Sequence, residues 1–273
     1  MAKVSYQPVF DDAWLAKARA KSYEASWVNA AIEHLDTSGQ IYLATLRLWF
    51  NGFPAAQNDK QELHKRLESF QDEQHLGGVN ELSWWAFMQH EGINATVVPT
   101  AKKAPRPDFQ LAVPADCFVE VSTLNVSDKD RSKLKQGASV ALDNLETVRR
   151  VVGKLTDEKR QQLIYATNQK KPAVLVVFDY TEWSAFGTDF LKPLGEFLLG
   201  TEIKSLPPEL SAIIYLERKV LDGRIALSRN RSAVYYNPLA VQPLSLDTFP
   251  SLKRFWSQLV SRESEVPENW IYL

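Results

Sequence analysis

The chain reads as an α/β protein: a mixed central sheet flanked by helices, preceded by an N-terminal helical arm. Three observations lead there. Apolar residues recur at helical spacing through most of the first third, and short β-rich runs broken by prolines follow Gly92. Residues 172–178, PAVLVVF, are then apolar almost without interruption, as in a strand covered on both faces. Strands alternating with helices beyond that point fit a sheet with helices packed against it. The expected division is a helical N-terminal region over 1–78 and an α/β domain over 79–273, with a C-terminal strand and helix extension.

The elements follow in order. Trp14, Leu15, Ala18, Trp27, Ala30, Ala31 and Leu35 keep a helical period until DTSGQ interrupts it, and IYLATLRLWF then resumes it. DKQELHKRLESFQDEQ, from Asp59 to Gln74, predicts a polar amphipathic helix with Leu63, Leu67 and Phe70 on one side. The GGV that follows reads as a turn, and NELSWWAFMQHEG as a helix capped by Asn80 and closed at Gly92. Trp84 and Trp85 are placed to pack that helix on the sheet. INATVVP, PDFQLAV and CFVEVSTL form a predicted meander, separated by loops that carry Pro99, Pro105, Pro107 and Pro114. A long helical region is expected from about Ser132 to Asn168, and a further helix over 187–200. LSAIIYLER reads as a strand, RIALSRN with SAVYYNP as a closing hairpin, and TFPSLKRFWSQLVSRE as a final amphipathic helix.

Composition narrows the function classes. With 273 residues and 45% hydrophobic content the chain can fill a large core. Lys and Arg number 32 against 33 Asp and Glu, so no global cationic field announces a polyanion partner, and any such site is local. The single cysteine, Cys117, has no partner for an intramolecular disulfide and reads as a small buried hydrophobe. No run approaches the ~18 apolar residues of a spanning helix, and the start MAKVSYQPVFDD lacks a signal-peptide core, so a cytoplasmic protein is expected. The four histidines show no zinc-ligand spacing. GxGxxG, GxxxxGK[ST] and GxSxG patterns are absent from the chain.

What needs a reason is a pair of acids on two apolar runs. Asp108 follows Pro107, and Glu120 interrupts CFVEVS, where ionised carboxylates are rarely buried unless paired or bound to metal. Period-two alternation sets Phe118, Glu120 and Ser122 on one face. If the two strands pair through the VPAD turn, Asp108 lies across from Glu120. Two converging carboxylates suit a hard divalent cation such as Mg²⁺, which takes one or two of them and keeps waters for other partners.

An acid on a helix, a strand, a strand opening Pro107-Asp108, a strand with Glu120-Val121-Ser122, then helix and strand: this order resembles the PD-(D/E)XK superfamily of restriction-endonuclease-like nucleases, over roughly residues 80–180. The resemblance implies a restriction-endonuclease-like fold and a Mg²⁺- or Mn²⁺-dependent nuclease acting on DNA. It further implies metal held by Asp108 and Glu120, with Glu81 assisting as the acid on the preceding helix. The family's usual lysine is replaced here by Ser122, which cannot stabilise developing phosphate charge. In some members that lysine has migrated to the following helix. Lys159 with Gln162, three residues apart on one helical face, is the nearest counterpart; Lys154, Lys133 and Lys135 are further candidates.

Plain structural readings stand beside these. Asp108 also suits a turn after proline, Glu120 a buried ion pair with a cation such as Arg106, and Glu81 the dipole of a first helical turn. Lys159 and Gln162 also suit a solvated helix face within the mixed-charge stretch from Arg149 to Lys171. Family analogy suggests work in restriction, repair or defence, beside a protein partner or as a homodimer. The alternatives are a non-catalytic nucleic-acid-binding or assembly subunit, which Ser122 favours, and an α/β interaction domain in which Asp108 and Glu120 lie apart.

Overall fold

A computed structural model describes residues 8–20, 28, 31–32, 37–101, 105–124, 153, 159–179, 195, 206–257, 260–262 and 269–273. Helices α1 (Asp12–Ala20), α2 (Ser38–Gly52), α3 (Gln57–Leu67) and α4 (Asp72–His90) precede the first strand. The meander comes next, as β1 (Ala95–Val97), β2 (Phe109–Leu111) and β3 (Phe118–Leu124), all antiparallel neighbours. Helix α5 (Arg160–Asn168) leads into β4 (Ala173–Asp179), which runs parallel to β3 and is buried along its whole length. The long strand β5 (Ala212–Leu221) pairs parallel to β4, so the centre of the sheet is parallel and its first edge antiparallel.

The predicted α/β class with a mixed sheet is what the chain adopts, and several elements differ from expectation for physical reasons. The GGV stretch is not a turn: α4 begins at Asp72 and runs through Gly77 and Gly78, so the expected boundary at 78/79 falls inside a helix. A Cβ at Gly78 would sit 3.2 Å from the Leu67 side chain, so glycine lets α3 pack closely on α4 there. Asn80 is therefore a buried mid-helix residue and no cap. Its amide donates to Thr123 Oγ1 (2.8 Å) and accepts from Arg218 Nε (2.9 Å), tying α4 to the sheet.

The expected hairpin of RIALSRN with SAVYYNP is absent. Instead β6 (Arg224–Ser228) folds back on the last residues of β5 through Asp222 and Gly223, while β7 (Ala233–Tyr236) pairs with the first half of β5. Positive φ at Asp222 (50°) and Gly223 (80°) gives the tight two-residue turn that matches strand twist. The final segment is no helix either: β8 (Lys253–Ser257) pairs parallel to β7, then β9 (Val260–Arg262) antiparallel to β8, and β10 (Trp270–Tyr272) closes on β6. Edge pairing on β7 and burial of Phe255 override a helical period that the segment also satisfies.

Two layers of core cover the sheet. One, containing Phe10, Leu46, Leu82, Phe87, Phe109, Val119, Val176 and Ile214, joins α1–α4 to the sheet without a break. The other holds Phe118, Leu124, Leu163, Ala166, Leu175, Val177 and Tyr215 beneath α5. Trp84 is fully buried against Phe87 and Phe249 in the core layer shared with the sheet, as expected, whereas Trp85 is half-buried and packs edge-on to Phe53, just after α2. Residues 187–200, apart from helical Gly195, and most of the expected helix from Ser132 lie outside the described residues, as do Lys133, Lys135, Arg149, Arg150 and Lys154. No helix among the described residues is long and apolar enough to cross a membrane.

Candidate functional site

The site forms where β2 stops and β3 goes on. Their register pairs Phe109 with Val119, and beyond it β2 has no further ladder partner for β3. Val121 N–H, on the side of β3 that β2 has left, donates to Asp108 Oδ2 at 2.8 Å. The Asp108 carboxylate thereby extends the ladder by one bond and is drawn to the strand segment that carries Glu120. A backbone N–H with no strand partner must find an acceptor, and here a side-chain carboxyl oxygen supplies it.

Glu120 sits on the α5 face of β3 with only 4% of its side chain exposed. Lys159, immediately before α5, places Nζ 2.5 Å from Glu120 Oε1. The parallel β3–β4 join explains the meeting: the chain must cross from the end of β3 to the start of β4, and α5 covers that face on its way. Arg106 is not the partner. Its guanidinium reaches Pro99 O at 3.5 Å and lies 5.8 Å from the Tyr165 ring centre.

The electrostatics mark the cluster as strained for charge. Burial, and then the neighbouring Glu120 charge, push the Asp108 carboxyl up to about 7, against the pull of the Val121 N–H, Lys159 and Arg66. Burial also raises Glu120, opposed by Lys159. Glu81, on α4, is pushed up to about 7 by burial and by the Asp108 charge, while Arg66 on α3 pulls it down. The three acids thus sense one another. Desolvation disfavours their charged forms, and the nearby cations with backbone N–H groups work against it.

Glu81 differs from expectation in its partner: its carboxylate makes a direct ion pair with Arg66 Nη2. It also lies in the middle of α4, so it owes nothing to a helix dipole. Gln162 lies in the first turn of α5, half-buried, and its backbone N–H donates to Lys159 O (3.1 Å). Arg66 is the residue that sequence reading missed. The only signal for it was its place on the polar side of an amphipathic helix, which any solvated arginine shares.

Two buried oxygens, Glu120 Oε2 and Gln162 Oε1, have no hydrogen-bond partner among the described residues. An orphaned carboxylate oxygen next to a second raised carboxylate is what a divalent cation relieves, so Asp108 and Glu120 fit Mg²⁺ or Mn²⁺ as a two-carboxylate site. No group of three or more His, Cys, Asp or Glu side chains among the described residues is arranged around a common metal position. With Glu81 paired to Arg66, Asp108 and Glu120 are the two acids that could serve as donors here among the described residues.

Other candidate chemistries gain nothing. Cys117 is buried, and burial pushes its thiol up, away from the reactive thiolate. His75 is buried, pushed down to about 4, and held between Leu67 O (2.6 Å) and Tyr42 Oη (2.9 Å), a structural role. Comparison of the chain with protein-family models, with curated proteins and with solved structures gives no match.

Proposed function

We propose that the chain is a Mg²⁺- or Mn²⁺-dependent nuclease that hydrolyses phosphodiester bonds of DNA, on a restriction-endonuclease-like version of the α/β fold. The observation that carries the reading is the ammonium of Lys159 at Glu120, beside Asp108. It supplies, from just ahead of the next helix, the cation that Ser122 does not. In this reading Asp108 and Glu120 hold the metal, and Gln162 orients water or a phosphate oxygen. Glu81 acts on the metal only indirectly, through Arg66 and the Asp108 charge. The metal, when bound, polarises the phosphodiester and lowers the pKa of an attacking water. Lys159 stabilises charge that builds on phosphate oxygens during attack, where a fixed cation in a dry site is most effective.

A second reading, a nucleic-acid-binding or assembly subunit that does not cut, is favoured by Ser122 and by the absence of a third acidic ligand among the described residues. Calorimetric Mn²⁺ binding by the wild type and by Asp108→Ala, with cleavage of plasmid and single-stranded DNA by the same preparations, separates the two. Binding lost in the variant, with cleavage by the wild type alone, supports the nuclease. Binding without cleavage supports the second reading, and no binding by either protein refutes the metal site.

A further inference from the structure

Arg66 reaches the acidic cluster from α3, an element outside the strand–strand–helix unit that carries Asp108, Glu120 and Lys159. Its Nη2 meets Glu81 Oε2, and its charge is felt at Asp108 as well. The two partners are unequal in exposure: 34% of the Arg66 side chain is open to solvent against 15% for Glu81. Burial works against the ionised form of Glu81, and Asp108 and Asp59 add negative charge toward it. A guanidinium at the open rim of an acid-rich site, held by one half-buried carboxylate, is suited to exchange that carboxylate for a phosphate, since both match its planar fork.

We propose that Arg66 is a substrate-binding residue: its guanidinium contacts a backbone phosphate of bound DNA, and Glu81 is the carboxylate that holds it in the absence of nucleic acid. This rests on reading the site as one that meets a phosphodiester. It assigns Glu81 to positioning Arg66 and removes it from the metal. The acids at the site repel a polyanion, so a cation able to turn outward is what admits one.

The test is fluorescence anisotropy of the full chain with a labelled DNA duplex in Ca²⁺, over a series of salt concentrations, for wild type, Arg66→Ala, Arg66→Lys and Glu81→Gln. Loss of one phosphate contact lowers the salt slope by about 0.9, and Arg66→Ala is expected to show that with an affinity about tenfold weaker. Arg66→Lys keeps the slope. Glu81→Gln releases Arg66 and tightens binding. A purely structural ion pair moves binding in the same direction when either partner is removed, so opposite signs for Arg66→Ala and Glu81→Gln are the distinguishing result.

The inference is overturned by equal affinity and slope in wild type and Arg66→Ala, by a shared direction for the two variants, or by a wild type that does not bind the duplex. Mn²⁺ calorimetry and cleavage by the wild type report on the nuclease reading separately. Cleavage with an unaltered Arg66→Ala slope refutes only the inference. Opposite shifts in the variants without cleavage support Arg66 and refute only the nuclease.

Discussion

Replacing Asp108 by Asn tests whether the carboxylate is held at a cost that a metal repays. Its ordinary pKa of 3.8 is raised to about 7 in the folded chain, by burial first and by Glu120 second. Between those values the folded chain keeps a proton that the unfolded chain has lost. Stability from this group is therefore fully present below 3.8, falls as pH rises through the window, and is gone above about 7. One pKa unit corresponds to about 1.4 kcal/mol, so the whole shift is worth on the order of 4 kcal/mol at most. Asp108 is only half-buried, and allowing for screening leaves about 2–3 kcal/mol between pH ~5 and ~8. Asn has no charge to desolvate, still accepts from Val121 N–H, and removes the charge that raises Glu81. Urea unfolding with EDTA should show Asp108→Asn gaining that margin over wild type as pH goes from ~5 to ~8. Mn²⁺ at a hundredfold excess over its Kd should then return about 2.7 kcal/mol to the wild type at the higher pH and nothing to the variant. A margin that does not change with pH, or an equal Mn²⁺ response in both proteins, refutes the argument.

Three further outcomes follow from the same geometry. Glu120→Gln should abolish Mn²⁺ binding by calorimetry while leaving the folded chain as stable as wild type or more so, because a buried charge is removed along with its penalty. Lys159→Met should leave or improve Mn²⁺ affinity, yet lower the cleavage rate about a hundredfold or more, and destabilise by about 1–3 kcal/mol in urea because Glu120 loses its partner. Gly223→Ala should lower stability by about 2 kcal/mol or more, since φ is +80° and a Cβ there would stand 2.2 Å from Ser38 O, a backbone atom that cannot step aside; thermal unfolding reads it directly.

The sequence was most legible where one local period served one environment. PAVLVVF is buried on both faces and reads so, and the alternation in CFVEVS placed Glu120 on the face that α5 covers. The pairing of Asp108 with the Glu120 region followed from strand order and a turn of the right length. Reading failed where a residue's meaning depends on a distant neighbour. Gly77-Gly78 signals a turn locally, yet both lie within α4, with Gly78 packed closely against Leu67 of α3. KRFWS satisfies helix and strand periods alike, and the open edge of β7 decides between them. Arg66 has no local signature, because its carboxylate partner is 15 residues away across a helix–helix contact.

Packing beneath α5 also decides where a lysine can sit. A residue at position 122 points to the α5 face, pairs in register with Val177, and is itself only 7% exposed, with Leu124 and Leu175 in the same layer. An ammonium on a four-carbon stem there would begin beneath the helix and need to thread outward to reach a phosphate, with desolvation opposing its charge. Ser122 fills the position with little volume. Lys159 instead approaches from the rim, with 24% of its side chain exposed, so its stem packs at the edge while Nζ meets Glu120. Cation and carboxylate then come from elements joined by the crossover, and their separation depends on α5 docking onto β3 and β4. The site on this account is sensitive to packing beneath α5. Leu163→Ala, which opens a cavity between that helix and the sheet, should weaken cleavage more than it weakens Mn²⁺ binding, since it displaces Lys159 while leaving Asp108 and Glu120 on the sheet. An equal loss of both, measured by calorimetry and cleavage on one preparation, would show that α5 holds the carboxylates as well and that Lys159 has no separate part.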